Sequence, residues 1–212
     1  WQRTGFASLL QREPDQGKPP TERTELWFAY DDAALYVAAR MYDGAPDSII
    51  ARLVRRDGQA STDDIAVFLD AYHDRRTGFY FGLNAAGTQY DGVLFNDEWD
   101  DNTWDGVWEG KVRIDDKGWT AEMRIPYSQL RFQDGENHVW GVNFVREIAR
   151  KNEKDYITYT PRNESGFVSR FVDLAGINRI DPPSRLEILP YLSTKAEYTG
   201  HAKGDPFNNG SR

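Results

Sequence analysis

Apolar and polar residues alternate along most of the chain from residue 24 onward. In TELWFAYDDAALYVAARMYD (24–43), Leu35, Val37, Ala39 and Met41 fall on one strand face, and Tyr36, Arg40 and Tyr42 on the other. Asp31 and Asp32 supply a turn between the two apolar runs. The same period of two returns in DIAVFLDAY (64–72), GFYFGLNA (78–85) and TQYDGVLF (88–95), separated by HDRRT and AG. WEGKVRID (108–115) puts Trp108, Val112 and Ile114 on one face. GWTAEMRIP (118–126) sets Trp119, Ala121, Met123 and Ile125 against Thr120, Glu122 and Arg124, and Asp116-Lys117-Gly118 reads as the hairpin turn between these two strands. Pro126 ends the second of them, and YSQLRF (127–132) predicts a single helical turn. WGVNFVREIAR (140–150) and KDYITYT (154–160) predict a further hairpin.

Helical spacing is confined to DSIIARLVRR (47–56), with Asp47 or Ser48 as the N-cap and arginines in the last turn. The stretch before Arg23 has no period and contains Pro14, Gly17, Pro19 and Pro20, so it reads as an arm. Asp181-Pro182-Pro183 marks a boundary, and RLEILPYLSTKAEYTG (185–200) is one more alternating strand. The expected organisation is therefore an arm over 1–22, a folded domain over 23–178 and a Pro-containing extension over 179–212. About ten short strands with almost no helix predict an all-β, antiparallel, jelly-roll-like sandwich with one or two short helices.

Composition narrows the function. Aromatics make up 14% of the chain, with seven Trp, which suits packed sheets and stacked ligands. A net charge of −8 gives no basic stripe for phosphates, so no nucleic-acid partner is expected. The acids serve solubility first, and a cluster of them could hold a hard cation such as calcium. The absence of cysteine excludes disulfides, thiolate metal sites and a Cys nucleophile. The chain begins at Trp1 without a signal peptide or an apolar run long enough for a membrane helix, and we read it as an excerpt of a longer protein.

The most unusual segment is NDEWDDNTWDGVWEG (96–110), which sets Asp97, Glu98, Asp100, Asp101 and Asp105 among Trp99, Trp104 and Trp108. Indole faces stack on sugar rings and carboxylates accept from the surrounding hydroxyls, the combination a carbohydrate site needs. The alternative is that Trp104 and Trp108 plug the end of the sandwich beside a solvated acidic turn; Trp108 is in phase with the core. Asp101, Thr103, Asp105 and Gly106 imitate the opening of an EF-hand loop, but Val112 stands where the bidentate Glu is required. A looser calcium site would use Asp97, Asp100 and Asp101. Arg40, Tyr80, Asn84, Asn143 and Arg146 form a second candidate surface on strand faces, the alternative being an outer face turned to water. The ligand-binding set is thus Trp99, Trp104, Asp105, Asn143 and Arg146.

No G-x-S-x-G, H-E-x-x-H or phosphate-binding glycine loop occurs, and His73, His138 and His201 lie in predicted turns or tails. The glycosidase pattern E-x-D-x-x-E begins at Glu98 and Asp100 and fails at Thr103. No catalytic residue and no required cofactor is assigned, and the chain is expected not to be an enzyme.

TERTEL (21–26), YDDAALYVAARMYD (30–43), YHDRRTGFYFGLNAAG (72–87), WDGVWEGKVRIDDKGWTAEMRIPYSQLRF (104–132) and WGVNFVREIARKNE (140–153) resemble the family 9 carbohydrate-binding modules. They resemble most the divergent branch at the N-terminus of bacterial outer-membrane proteins of unassigned function. The resemblance covers roughly residues 20–175, with GWTAEMRIPYSQLRF its most specific part. It implies a β-sandwich, binding of an oligo- or polysaccharide, and room for bound calcium. It also implies a place in the bacterial cell envelope, at the periplasm or outer membrane, and a membrane β-barrel following the module, with residues 185–200 as its first strand. In the better-known modules two tryptophans clamp the terminal sugar, and Trp99 and Trp104 are the candidates by character. The rivals to a sugar-binding module are a structural or gating domain of the barrel and a glycoside hydrolase.

Overall fold

The computed structural model describes residues 4–6 (backbone only), 8–58, 60–182 and 193–194; most of the predicted strand 185–200 thus lies outside the described residues. Thirteen strands occur among the described residues. They are β1 Thr4–Phe6, β2 Leu10–Glu13, β3 Thr24–Tyr30, β4 Ala34–Tyr42, β5 Asp64–Asp70, β6 Gly78–Asn84 and β7 Gln89–Phe95, followed by β8 Trp99–Asp101, β9 Glu109–Asp115, β10 Gly118–Pro126, β11 Asn137–Ile148, β12 Glu153–Tyr156 and β13 Val172–Asn178. One sheet of five runs β1-β3-β4-β10-β9. The other, of eight, runs β2-β12-β11-β5-β6-β7-β8, with β13 paired to the first half of β11. The fold is the all-β sandwich that the alternation predicts. The segment read as an arm contributes a strand to each sheet.

The strand faces follow from the period of two. Leu35, Val37, Ala39 and Met41 of β4 and Trp119, Ala121, Met123 and Ile125 of β10 are all buried. They meet Ile65, Val67 and Leu69 of β5, Phe81 and Leu83 of β6, and Trp140, Val142 and Phe144 of β11 in one continuous core. Gly118 starts β10 at φ 130, where a side chain would overlap the Met41 carbonyl, so the β9–β10 hairpin closes against β4 only with glycine at this position.

Two predicted elements differ. The helix over 47–56 is reduced to a 3-10 turn at Pro46–Ser48. The backbone groups that a helix would pair internally are taken by neighbours. Ile50 O accepts from the Asp63 amide at 2.9 Å, Arg52 O from Asn84 Nδ2 at 2.8 Å, and the Val54 amide donates to Thr88 Oγ1 at 3.2 Å. The strand predicted over 154–160 ends at Tyr156, because the Asn143 side chain captures both Thr158 O, at 2.7 Å, and the Thr158 amide, at 3.1 Å. The single helical turn expected over 127–132 is a 3-10 turn at Tyr127–Gln129.

Arg146 joins the two sheets. It points inward from β11 and is 1% exposed. Its guanidinium donates to Arg23 O at 3.0 Å, Thr24 Oγ1 at 3.1 Å and Tyr42 O at 2.7 Å, all on the other sheet or its approach. Across the ladder from it lies Asp155, fully buried, whose carboxyl is pushed up to about 7, first by burial and then by the charge of Glu153. Nearby, Arg150 forks onto Asp43 through two 2.7 Å hydrogen bonds. Arg146→Ala is expected to lower the unfolding free energy by about 3–5 kcal/mol, because three buried acceptors lose their donor and Asp155 loses its counter-charge. Urea denaturation checks this, and an unchanged midpoint would show that the clamp contributes nothing.

Candidate binding site

The outer face of the eight-stranded sheet carries an open groove of about 700 Å³. Its floor follows from register. Ala66 pairs with Gly82 and Val145, and Gly82 pairs with Tyr90, so these residues share the face that looks away from the core. Tyr80 is paired in the same way with Gly92. Each tyrosine therefore lies directly opposite a glycine on the neighbouring strand.

That pairing decides how the rings lie. A side chain at Gly82 would overlap the Tyr90 ring, and one at Gly92 would overlap the end of Tyr80. The Tyr90 ring crosses β6 above Gly82, and its hydroxyl comes within 3.1 Å of both Asp64 Oδ1 and Ile65 O on β5. A ring that starts on β7 and ends on β5 lies along the sheet. Because a side chain at Gly82 would meet Cε1 and Cε2 about equally, the ring turns a face rather than an edge to the strand beneath and to the groove above. Phe68 packs against Tyr80, with centroids 5.9 Å apart, and against Phe167 edge-on at 5.0 Å. These aromatics are half-buried, as accessible ring faces should be.

The walls come from irregular chain. The stretch around Val54, Asp57 and Ser61 forms one wall, and Glu98, Asp100 and Asn102 form another. The second wall is anchored by Asp97. Its carboxylate accepts from the Phe167 amide at 3.0 Å and from the Ser169 amide and hydroxyl at 2.8 Å each. Burial pushes that carboxyl up, but these donors outweigh it and hold it below the usual range. Glu98 accepts from the Gly166 amide and fixes the same junction. Deep in the groove, Asp64 stands opposite Glu147 of β11, which pairs with Lys154 at 2.9 Å. Burial first, and then the charge of Glu147, push the Asp64 carboxyl up to about 7 against the Tyr90 hydroxyl bond.

The residues singled out from sequence are scattered relative to this groove. Trp99 is 64% exposed and points to the opposite face of β8, edge-on to Phe95 with centroids 5.9 Å apart. Trp104 packs on Phe79 at 5.3 Å and Phe81 at 6.1 Å and closes the core, and Trp108 is buried with Nε1 donating to Asp91 at 2.8 Å. Asp105 pairs with Arg56 at 3.3 Å. Asn143 and Arg146 were expected to touch ligand, and here the structure corrects the expectation. Asn143 is fully buried beneath Thr158, and Arg146 lies between the sheets. Arg40 forks onto Asp115 at 2.6 Å on the five-stranded sheet, and Asn84 caps the 84–88 turn.

Asp97, Asp100 and Asp101 do not converge as a calcium site. Asp97 is engaged with backbone donors, Asp101 accepts from the Thr103 amide at 2.8 Å and its hydroxyl at 2.6 Å, and Asp100 faces the groove. Among the described residues, no group of three or more His, Cys, Asp or Glu is placed to hold a metal ion. The groove aromatics Phe68, Tyr90, Tyr156 and Phe167 were not singled out from sequence. A signal was nevertheless present in the twin Tyr-x-Gly patterns, Tyr80-Phe81-Gly82 and Tyr90-Asp91-Gly92, on consecutive strands.

No family model matches the chain, and no curated protein matches it. Solved structures do. A family 9 carbohydrate-binding module from Caldicellulosiruptor kristjanssonii in complex with cellotriose superposes with TM-score 0.60 at 17% identity, covering 89% of each chain. The module from the same organism in complex with glucose gives 0.59 at 17% identity, over 84% of this chain and 86% of that one. A Bacteroides uniformis protein proposed to bind carbohydrate gives 0.63 at 13% identity, over 80% and 85%. The sandwich therefore has the fold of the family 9 modules.

Two predictions follow from these placements. Trp104→Ala should cost roughly 3 kcal/mol of stability, as loss of a packed indole does, while Trp99→Ala should stay within about 1 kcal/mol. Equal costs in thermal or urea unfolding would contradict the packing described. Asp64 holds a proton in the folded state, to about pH 7, that it releases near its ordinary value when unfolded. Stability should therefore fall as pH rises from about 4 to about 7, by up to about 1.4 kcal/mol per unit from this group. Asp155 acts in the same sense. Asp64→Asn should flatten part of the slope, and an unaltered pH profile of the urea midpoint would refute the assignment.

Proposed function

We propose that this chain is a non-catalytic glycan-binding module of a bacterial envelope protein, and that it takes an oligo- or polysaccharide in the groove on its eight-stranded sheet. The observation that carries this reading is the pair of tyrosines, Tyr80 and Tyr90, spread across Gly92 and Gly82 so that ring faces form the groove floor. A flat aromatic surface matches the C–H face of a pyranose ring, and carboxylates around it accept from equatorial hydroxyls. Asp64 and Asp100 stand where such hydroxyls would reach. The likeness to modules solved with cellotriose and with glucose supports the same reading.

The envelope setting rests on the sequence resemblance, which places a membrane barrel after Pro182 and Pro183. In that arrangement the groove would hold a glycan close to the membrane surface. Calcium is not required on this reading, since Asp97 and Asp101 are already occupied by protein donors.

Isothermal titration against a panel of oligosaccharides tests the proposal. Tyr80→Ala should weaken binding by about tenfold, by analogy with other aromatic stacking platforms, with the circular dichroism spectrum unchanged. Affinity should be the same in calcium and in chelator. Absence of heat with every glycan of a broad panel, or hydrolysis of a glycoside that is lost in Asp64→Asn, would overturn the reading.

A further inference from the structure

The groove is strongly one-signed. Asp57, Asp64, Glu98, Asp100 and Glu147 line it, and Lys154 is the only Lys or Arg among its described lining residues. Lys154 is already neutralised by Glu147 at 2.9 Å. Arg56, just outside, is engaged by Asp91 and lies 3.7 Å from Asp57 and 3.3 Å from Asp105. A recess of one sign between low-dielectric walls focuses its field on whatever enters.

Resting on the reading of the groove as a sugar site, we propose that its preferred ligand is a glycan bearing protonated amines, of the glucosamine type, rather than a neutral or acidic one. The rings and the charges point independently to this class. Aromatic faces attract cations as well as apolar C–H faces, so an amine-bearing pyranose laid over Tyr80 and Tyr90 gains on both counts. Asp64 accepts from the Tyr90 hydroxyl and has no cationic partner within ion-pair distance among the described residues, while its cross-strand neighbour Glu147 is a like charge. An ammonium beside Asp64 would supply the missing counter-charge and draw its pKa back down, so that the carboxyl ionises on binding. Register puts Asp100 at the other end of the groove, where a second amine of the same glycan would meet it. A uronate, sulfate or phosphate group would meet repulsion from every wall, which is how a site discriminates between ligands of similar shape.

The experiment is calorimetric titration of the full chain with glucosamine, glucose and glucuronate oligomers of equal length near neutral pH. The glucosamine oligomer should bind at least about tenfold more tightly than the glucose oligomer, with the glucuronate oligomer weakest. That preference should narrow in about 0.5 M salt, where exposed charges are screened. In Asp64→Asn and in Asp100→Asn the ratio of the two affinities should fall toward one. Should Asp64→Asn fail to fold, Asp100→Asn and the salt series still decide the matter. Equal or weaker binding of the glucosamine oligomer sinks this inference and leaves the groove as a sugar site. Failure of all the oligomers to bind removes the sugar site itself.

Discussion

The buried guanidinium of Arg146 is the contact on which the two-sheet arrangement turns. β11 pairs with β5 on one side and with β12 and β13 on the other, so it is the spine of its sheet. A charge inside a sandwich is tolerated only where donors and acceptors match, and here the acceptors belong to the ends of β3 and β4 and to the chain leading into them. That match also fixes register. A slip of one residue would carry Arg146 to the outer face and drive Glu147 into the core. Core and groove are thus specified by one strand, with Phe144 and Arg146 inward and Val145 and Glu147 outward.

Most of the architecture was legible because each strand buries one face, and burial writes itself as a period of two. The hairpins around Asp31-Asp32 and Gly118 came from turn chemistry alone. What was not legible depended on partners remote in sequence. Residues 47–56 carry a helical pattern, yet Asp63, Asn84 and Thr88 take the backbone groups a helix needs. Val54 and its neighbours become a wall of the groove as a result. The early strands β1 and β2 have too few residues to show a period and form because sheet edges are waiting for them.

The site was harder to read, and the reason is physical. Tryptophan and aspartate crowd into residues 96–108, but composition does not say which way a side chain points. Trp104 and Trp108 are spent on the core, Asp97 on the amides of Phe167 and Ser169, and Asp101 on its own turn. The segment still contributes to the groove, through Glu98, Asp100 and Asn102. Asn143 and Arg146 misled because polar residues on a strand suggest a wet face, whereas here both satisfy buried backbone groups. The groove floor is built by cross-strand pairing, and only register reveals it.

The two glycines beneath the tyrosines set the height of the floor. Gly82 and Gly92 carry nothing on the outer face, so each ring can settle against the backbone instead of standing on end. A methyl group at Gly82 would press on the Tyr90 ring, tilting it upward and making the recess shallower, whereas one at Gly92 would press on the Asp101 carbonyl of β8 as well as on Tyr80. Ligand thickness is therefore encoded apart from stability at Gly82, a position whose contribution is an absent side chain, while Gly92 also keeps β8 seated against β7. A lineage could retune what the module accepts by one small substitution while keeping the same sandwich.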